Sequence, residues 1–191
     1  MSANVWFEEV DTGLIKEIKN TVEYKNSNGV LVPIENVIVR KPEEDFKIEK
    51  FPCVSIYNLD YKFDPMRYDA EPVKVGEDIE TKKAIMEESA VAFNLIYQLD
   101  FWAEYIDDMN TMTRTWLMKH FRSFNLNVID DGGTKRSCNC YMSEKPKKSD
   151  LVLNKQRLYN TIISYCIWVE LDNETRYNED MIIDNSINLN N

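Results

Sequence analysis

The 191-residue sequence holds a single histidine, five glycines and four cysteines, and its 23 basic residues are outnumbered by 33 acidic ones. Each shortage closes off a class of function. With one histidine, Ser-His-Asp and Cys-His systems would all hang on His120, and no nucleophile elbow or Cys-Gly context supports it. There is no G-x-x-x-x-G-K-[ST] and no G-x-G-x-x-G, so a backbone cradle for phosphates is hard to build. A net charge of −10 disfavours non-specific binding to DNA, RNA or anionic lipid, which relies on Lys and Arg to neutralise phosphate. No apolar run approaches the ~20 residues of a membrane span, and the start MSANVWFEEVD lacks the basic and apolar regions of a signal peptide. Cys138 and Cys140 would share one face of a strand, but C-x-C without a second pair or a nearby histidine is a poor zinc pattern. Cys53 and Cys166, inside FPCVSI and ISYCIWV, read as small buried hydrophobes. These features predict an intracellular protein with free structural thiols, no bound metal and no cofactor.

What is present is enough apolar material, 43% hydrophobic and 12% aromatic, for one domain with a real core. The most informative stretch runs from Phe93 to Phe124, where the hydrophobic period changes. Phe93, Leu95, Tyr97, Leu99 and Phe101 alternate with polar residues, the period of a half-buried strand. Past Tyr105 the apolar positions become Met109, Met112, Trp116, His120/Phe121 and Phe124, a helical stripe. The strand thus feeds an amphipathic helix through Asp107–Asp108 with no room for a loop. Adjacent helical residues do not share a face, so these two carboxylates read as the complement of the helix dipole rather than a catalytic pair. His120 reads as a helix-end histidine meeting the last carbonyls.

Elsewhere, residues 11–22 predict a first helix with Leu14, Ile15, Ile18 and Val22 on one face, broken at Asn26–Gly29. Short strands are expected at Val37–Val39 and Leu126–Ile129, and a longer one over CVSIYNLDYKF with a bulge near Tyr57–Asn58. Asp130–Gly133 is a hairpin turn leading to a strand over 134–142. Ser143–Asp150 reads as a loop. RLYNTIISYCIWVEL is the second long strand, with Tyr159, Thr161, Ile163, Tyr165, Ile167 and Val169 on one face and Ile162, Cys166 and Trp168 on the other. A last strand is expected near Met181–Ile187. Between Asp64 and Ser89 the pattern dissolves among Pro65, Pro72, Gly76 and many charges, predicting a long extended loop with at most a short strand near Val73–Val75. The order of elements gives an α+β fold, 1–191 as a single domain, with a mainly antiparallel central sheet, helices packed on one face, an N-terminal arm and the loop 64–89.

Two features point to contacts beyond the subunit. In Asp64-Pro65-Met66-Arg67-Tyr68 the alternatives are a turn with a local ion pair or a contact to a neighbouring chain through Arg67 and Tyr68. Trp102 alternates to the side opposite Phe101, and Trp168 raises the same question on the second long strand; if helices cover one face only, both tryptophans face outward, to be covered by loops or by a partner.

Three segments carry a family resemblance: FPCVSIYNLDYKFDPMRY (51–68), AFNLIYQLDFWAEY followed by DDMNTMTRTWLMKHF (92–121), and RLYNTIISYCIWVEL (157–171). In this order they resemble the tail terminator, or tail-completion, proteins of tailed bacteriophages and related contractile particles. They match that family's Pro-led strand ending in an acidic, arginine-containing loop, its long strand and core helix, and its return strand. The resemblance implies a structural virion protein, not an enzyme, located in the tail or neck after assembly in the host cytoplasm. It implies a homo-oligomeric ring, commonly a hexamer, that caps the tail tube or sheath, stops its polymerisation and joins neck or connector proteins. DNA would pass through without sequence-specific binding, and no membrane is involved. Arg67, Tyr68, Trp102 and Trp168 would lie at ring or partner contacts. Because the acidic 64–89 stretch exceeds what a minimal terminator needs, a connector or baseplate subunit stays open. So does a small cytosolic enzyme or ligand-binding protein built on scattered carboxylates.

Overall fold

A computed structural model describes residues 5–40, 50–68, 71–78, 83–130, 132–153, 156–171 and 176–180. The change of period at 93–124 is realised as strand β7 (Val91–Ala103) followed, after only Glu104 and Tyr105, by helix α2 (Ile106–His120). Asp107 and Asp108 occupy the first turn of α2 and Lys119 and His120 the last, each sign at the end the helix dipole favours. Helix α1 (Phe7–Thr21) starts four residues earlier than the sequence predicts. The Trp6 backbone N–H donates to Glu9 Oε2 at 2.9 Å, which ties the helix start in place and takes residues 7–10 out of any arm.

Seven strands form one mixed sheet: β3 (Val37–Arg40), β4 (Cys53–Phe63), β7, β11 (Gln156–Leu171), β9 (Lys135–Met142) and β8 (Ser123–Ile129) in spatial order, with β10 (Lys147–Leu153) also paired to β11. β3 runs parallel to β4 and the other pairs are antiparallel. β7 and β11 form the spine, paired without a break from Tyr159↔Ala103 to Leu171↔Val91. β4 carries its bulge between Asn58 and Asp60, leaving Leu59 as the extra residue and shifting the inward positions from Val54 and Ile56 to Tyr61 and Phe63. A small hairpin, β1 (Glu23–Lys25) with β2 (Leu31–Pro33), turns through Gly29 at φ 74°, a conformation that suits glycine.

The core lies between this sheet and the two helices. Val54, Ile56, Leu95, Leu99, Phe101, Ile163, Tyr165 and Ile167 from the strands meet Val10, Leu14 and Ile18 of α1 and Met109, Met112 and Trp116 of α2, all buried in one cluster. At Gly13, helix α1 lies tightly against β8. A Cβ built there lies 2.9 Å from Val128 Cγ1 and 3.2 Å from the Asn127 carbonyl oxygen. Gly13→Ala therefore trades a helix-propensity gain of about 1 kcal/mol against overpacking of about 1–3 kcal/mol. Chemical denaturation is expected to show a net loss of stability.

Three expectations need correction. Residues 64–89 are not one extended loop: β5 (Val73–Asp78) and β6 (Lys83–Glu87) pair, and β12 (Arg176–Asp180) adds to β6, giving a second, three-stranded sheet. A charged hairpin alone is marginal in water, and its third strand comes from nearly a hundred residues away, so the local pattern shows only the start of β5, near Val73–Val75. Ser143–Asp150 is not wholly loop, because β10 begins at Lys147; its pairing with the first half of β11 overrides an unpromising lysine-rich sequence. Phe121 is not part of the helical stripe: it follows the last residue of α2 and is exposed, and Phe124 belongs to β8. The strand expected near Met181–Ile187 lies outside the described residues.

Candidate assembly surface

The only histidine is held by structure. His120 Nε2 lies 3.1 Å from Glu17 Oε1 and 3.5 Å from Thr21 Oγ1, both on α1, and its ring packs on Trp116 and Phe124 at 4.1 and 4.4 Å between centroids. It joins the two helices rather than meeting the terminal carbonyls of its own. Burial pulls its pKa below the ordinary histidine value, with Glu17 opposing that shift and Lys119 adding to it. A lowered folded-state pKa means the unfolded chain binds the proton more readily. The associated stability is complete above the unfolded value near 6.5 and is lost as pH falls below it. Wild-type stability is expected to drop between pH 7 and 5.5, with a shallower slope in His120→Gln, as read by urea titrations at each pH.

Three of the four thiols are buried away from chemistry. Cys53, Cys138 and Cys140 are buried and free, and burial raises the pKa of Cys53 to about 12 and of Cys138 to about 11, far from a reactive thiolate. Among the described residues no group of His, Cys, Asp and Glu is placed to hold a metal ion. Nor is any helix among them long and apolar enough to cross a membrane.

The surface offers more. β4 is buried from Cys53 to Ile56 and exposed from Leu59 to Phe63, because the strand runs out beyond the helices. There Trp6, Phe7, Tyr61, Phe63, Tyr68 and Phe93 form one chain of ring contacts, with centroid separations of 4.6–6.4 Å. Tyr61 is 55% exposed, Phe63 47% and nearby Met66 92%. Exposed apolar side chains grouped in this way make this end of the sheet the candidate contact surface. Tyr61 and Phe63 were legible as strand residues. Their exposure depends on how far α1 reaches, which alternation does not state.

Arg67 and Tyr68 sit beside this patch. The Arg67 guanidinium donates from Nε to Asp64 Oδ2 at 2.8 Å and from Nη2 to the Phe93 carbonyl at 2.7 Å and Asn94 Oδ1 at 3.2 Å. Its Cζ lies 4.8 Å from the centre of the Trp168 ring. The Arg67 hydrogen bond, helped by Asn94 and the Met66 N–H, holds the Asp64 carboxyl below the usual range. The turn with a local ion pair is thus present, and it brings Arg67, Tyr68 and Trp168 to one end of the sheet. Tyr68 packs edge-on to Phe63 and is partly exposed; Trp168 is half-buried and packs on Tyr141 at 4.6 Å.

A solved structure resembles the chain. It is the sheath/tube terminator, in the extended state, of an extracellular contractile injection system (PVC), matched at 13% identity and a TM-score of 0.47. The match covers 98% of this chain and 65% of that one, so this chain spans just under two thirds of its neighbour's length. The sequence matches no protein-family profile, and no curated protein sequence is similar to it.

Trp102 does not join the others. It lies on the outer face, opposite Cys53 and Asn160, but it is 7% exposed, and its Nε1–H donates to Ser55 Oγ at 3.3 Å. Its neighbours on that face, Cys53, Ser55, Asp100 and Asn160, are buried too. The alternation placed the side chain on the correct face. The assumption that this face meets solvent fails because the chain itself covers that end, with Arg40 Nη1 reaching Asp100 Oδ2 at 3.2 Å. Trp102 is thus buried within the subunit.

Proposed function

We propose that this chain is a structural protein of a phage-like tail, which assembles as a closed ring, caps the tail tube or sheath and joins it to the neck. The observation that carries the reading is the exposed aromatic patch of Tyr61, Phe63 and Tyr68, backed by ring contacts to Trp6, Phe7 and Phe93. It lies within 51–68, one of the three segments that resemble the terminator family. A ring needs one patch to meet a different patch on the next subunit, with a rotation that closes. Arg67, Tyr68 and Trp168 lie on or beside the aromatic end and are the contact residues of this reading. The ring is a homo-oligomer, hexameric by the resemblance, and its partners are the tail tube or sheath protein on one side and neck proteins on the other. The net charge of −10 suits a channel through which DNA moves without sticking.

The test is a pair of charge substitutions, Tyr61→Asp and Phe63→Asp, at side chains that are 55% and 47% exposed. Both variants are expected to retain wild-type circular dichroism and to lose assembly in sedimentation experiments. Assembly unchanged in both would remove the patch from the interface.

A further inference from the structure

Helix α2 carries a second stripe beside its buried one. The buried face is Met109, Met112, Trp116 and His120. Next to it Arg114, Leu117, Met118 and, just past the helix, Phe121 recur at three-and-four spacing. With Pro146 and Lys148 they line a groove of about 520 Å³ between α2 and the start of β10. Met118 is 78% exposed and Phe121 58%, where the outer face of a surface helix is ordinarily polar. The lining holds two cations, Arg114 and Lys148, and no carboxylate, on a chain of net charge −10. Lys148 Nζ donates to Asn110 Oδ1 at 3.0 Å. Arg114 is exposed and makes no hydrogen bond or ion pair among the described residues. Asp107, in the first turn of α2, lies beyond the lining.

The aromatic end of β4 is the counterpart in chemistry and charge. Its exposed Tyr61, Phe63 and Met66 are apolar projections. Asp60 and Lys62 alternate to the other face of the strand and pair with each other at 3.7 Å, and Asp64 is held by Arg67. Glu8, beside Phe7 in the first turn of α1, is exposed and has no cation partner among the described residues. The two surfaces lie at opposite ends of the spine. Phe63 pairs with Phe93 at one end of β7, and Thr161, buried at the base of the groove, pairs with Phe101 towards the other. From Phe93 to Phe101 is about 27 Å at ~3.4 Å per residue, so the two surfaces cannot meet within one subunit.

We infer that the groove between α2 and β10 receives the aromatic end of a second copy of this chain, with that copy's Glu8 meeting Arg114. The inference rests on the ring proposed above and names both halves of its contact: two different patches joined head to tail, as a closed ring requires. Burial of Tyr61, Phe63 and Met66 against Leu117, Met118 and Phe121 supplies most of the affinity. The charge pair orients the subunits and disfavours the like-with-like pairing of two aromatic ends.

The experiment uses the full chain with Arg114→Glu, Glu8→Arg, the two combined, and Met118→Asp. Circular dichroism reports the fold and sedimentation the assembly. The wild-type protein should be an oligomer. Each single charge reversal should weaken assembly by roughly tenfold, and the combined variant should recover most of that loss. Met118→Asp should be folded and fail to assemble. Single reversals that weaken assembly without recovery in the combined variant overturn the pairing of these two surfaces. Wild-type assembly in Arg114→Glu and Met118→Asp overturns the inference and leaves the ring standing. A monomeric wild-type protein overturns both the inference and the ring.

Discussion

Replacement of Trp116 by alanine is expected to lower the unfolding free energy by about 3–5 kcal/mol, the range for truncating a large buried aromatic. Trp116 is fully buried, and three aromatic side chains besides His120 pack on its ring: Phe101, Phe124 and Tyr165. Its Nε1–H donates to the Tyr165 hydroxyl at 2.9 Å, and that hydroxyl donates to the His120 carbonyl at 3.0 Å. The residue therefore ties α2 to β11 through packing and a short hydrogen-bond chain. Trp116→Phe keeps part of the ring contact and removes the indole donor; it should cost less, about 1–3 kcal/mol. Equilibrium urea titration of both variants checks the order. A loss below about 1 kcal/mol for the alanine variant would mean that the site collapses around the gap or that the residue is not in the core.

The second large effect is expected at Arg67. Its guanidinium holds the carboxylate of Asp64, a β7 carbonyl, the Asn94 side chain and the face of Trp168 together, with its side chain only 18% exposed. Arg67→Ala removes several charge-assisted hydrogen bonds at once, each worth about 1.5–3 kcal/mol in net terms. Part of that is recovered as water solvates the turn, so a net loss of about 2–3 kcal/mol is expected. Arg67→Lys should restore little, because a single ammonium cannot serve Asp64, Phe93 and Asn94 in the geometry of a planar fork. Assembly should fail in both variants, since the turn that presents Tyr68 is released. Sedimentation and thermal unfolding separate the two readouts. Wild-type assembly with reduced stability would confine Arg67 to a role inside the subunit.

The sequence made the spine of this fold legible because β7, α2 and β11 are long and strongly periodic. Alternation from Phe93 to Phe101 and from Tyr159 to Val169 leaves little ambiguity about the strands. The bulge in β4 was equally readable, since Ile56 and Tyr61 cannot share a face without an extra residue. What stayed hidden depends on partners far along the chain. β10 is lysine-rich and becomes a strand because β11 offers it an edge, while β5 and β6 are joined by β12. The same limit separates the two tryptophans. Both faces were assigned by alternation, yet only the folded chain shows that Trp102 is covered and Trp168 lies against Arg67. The aromatic patch could have been suspected from the density of rings between Tyr57 and Tyr68. Alternation alone could not tell a core strand from one that runs past its helices.

The central claim, that the chain works as a closed ring, is tested most directly by the native mass and shape of the purified wild-type protein. Sedimentation equilibrium should return an integral multiple of the 22.5 kDa chain, and negative-stain images should show rings with a central channel. A single 22.5 kDa species that stays monomeric when a tail tube or sheath protein is added would contradict the account.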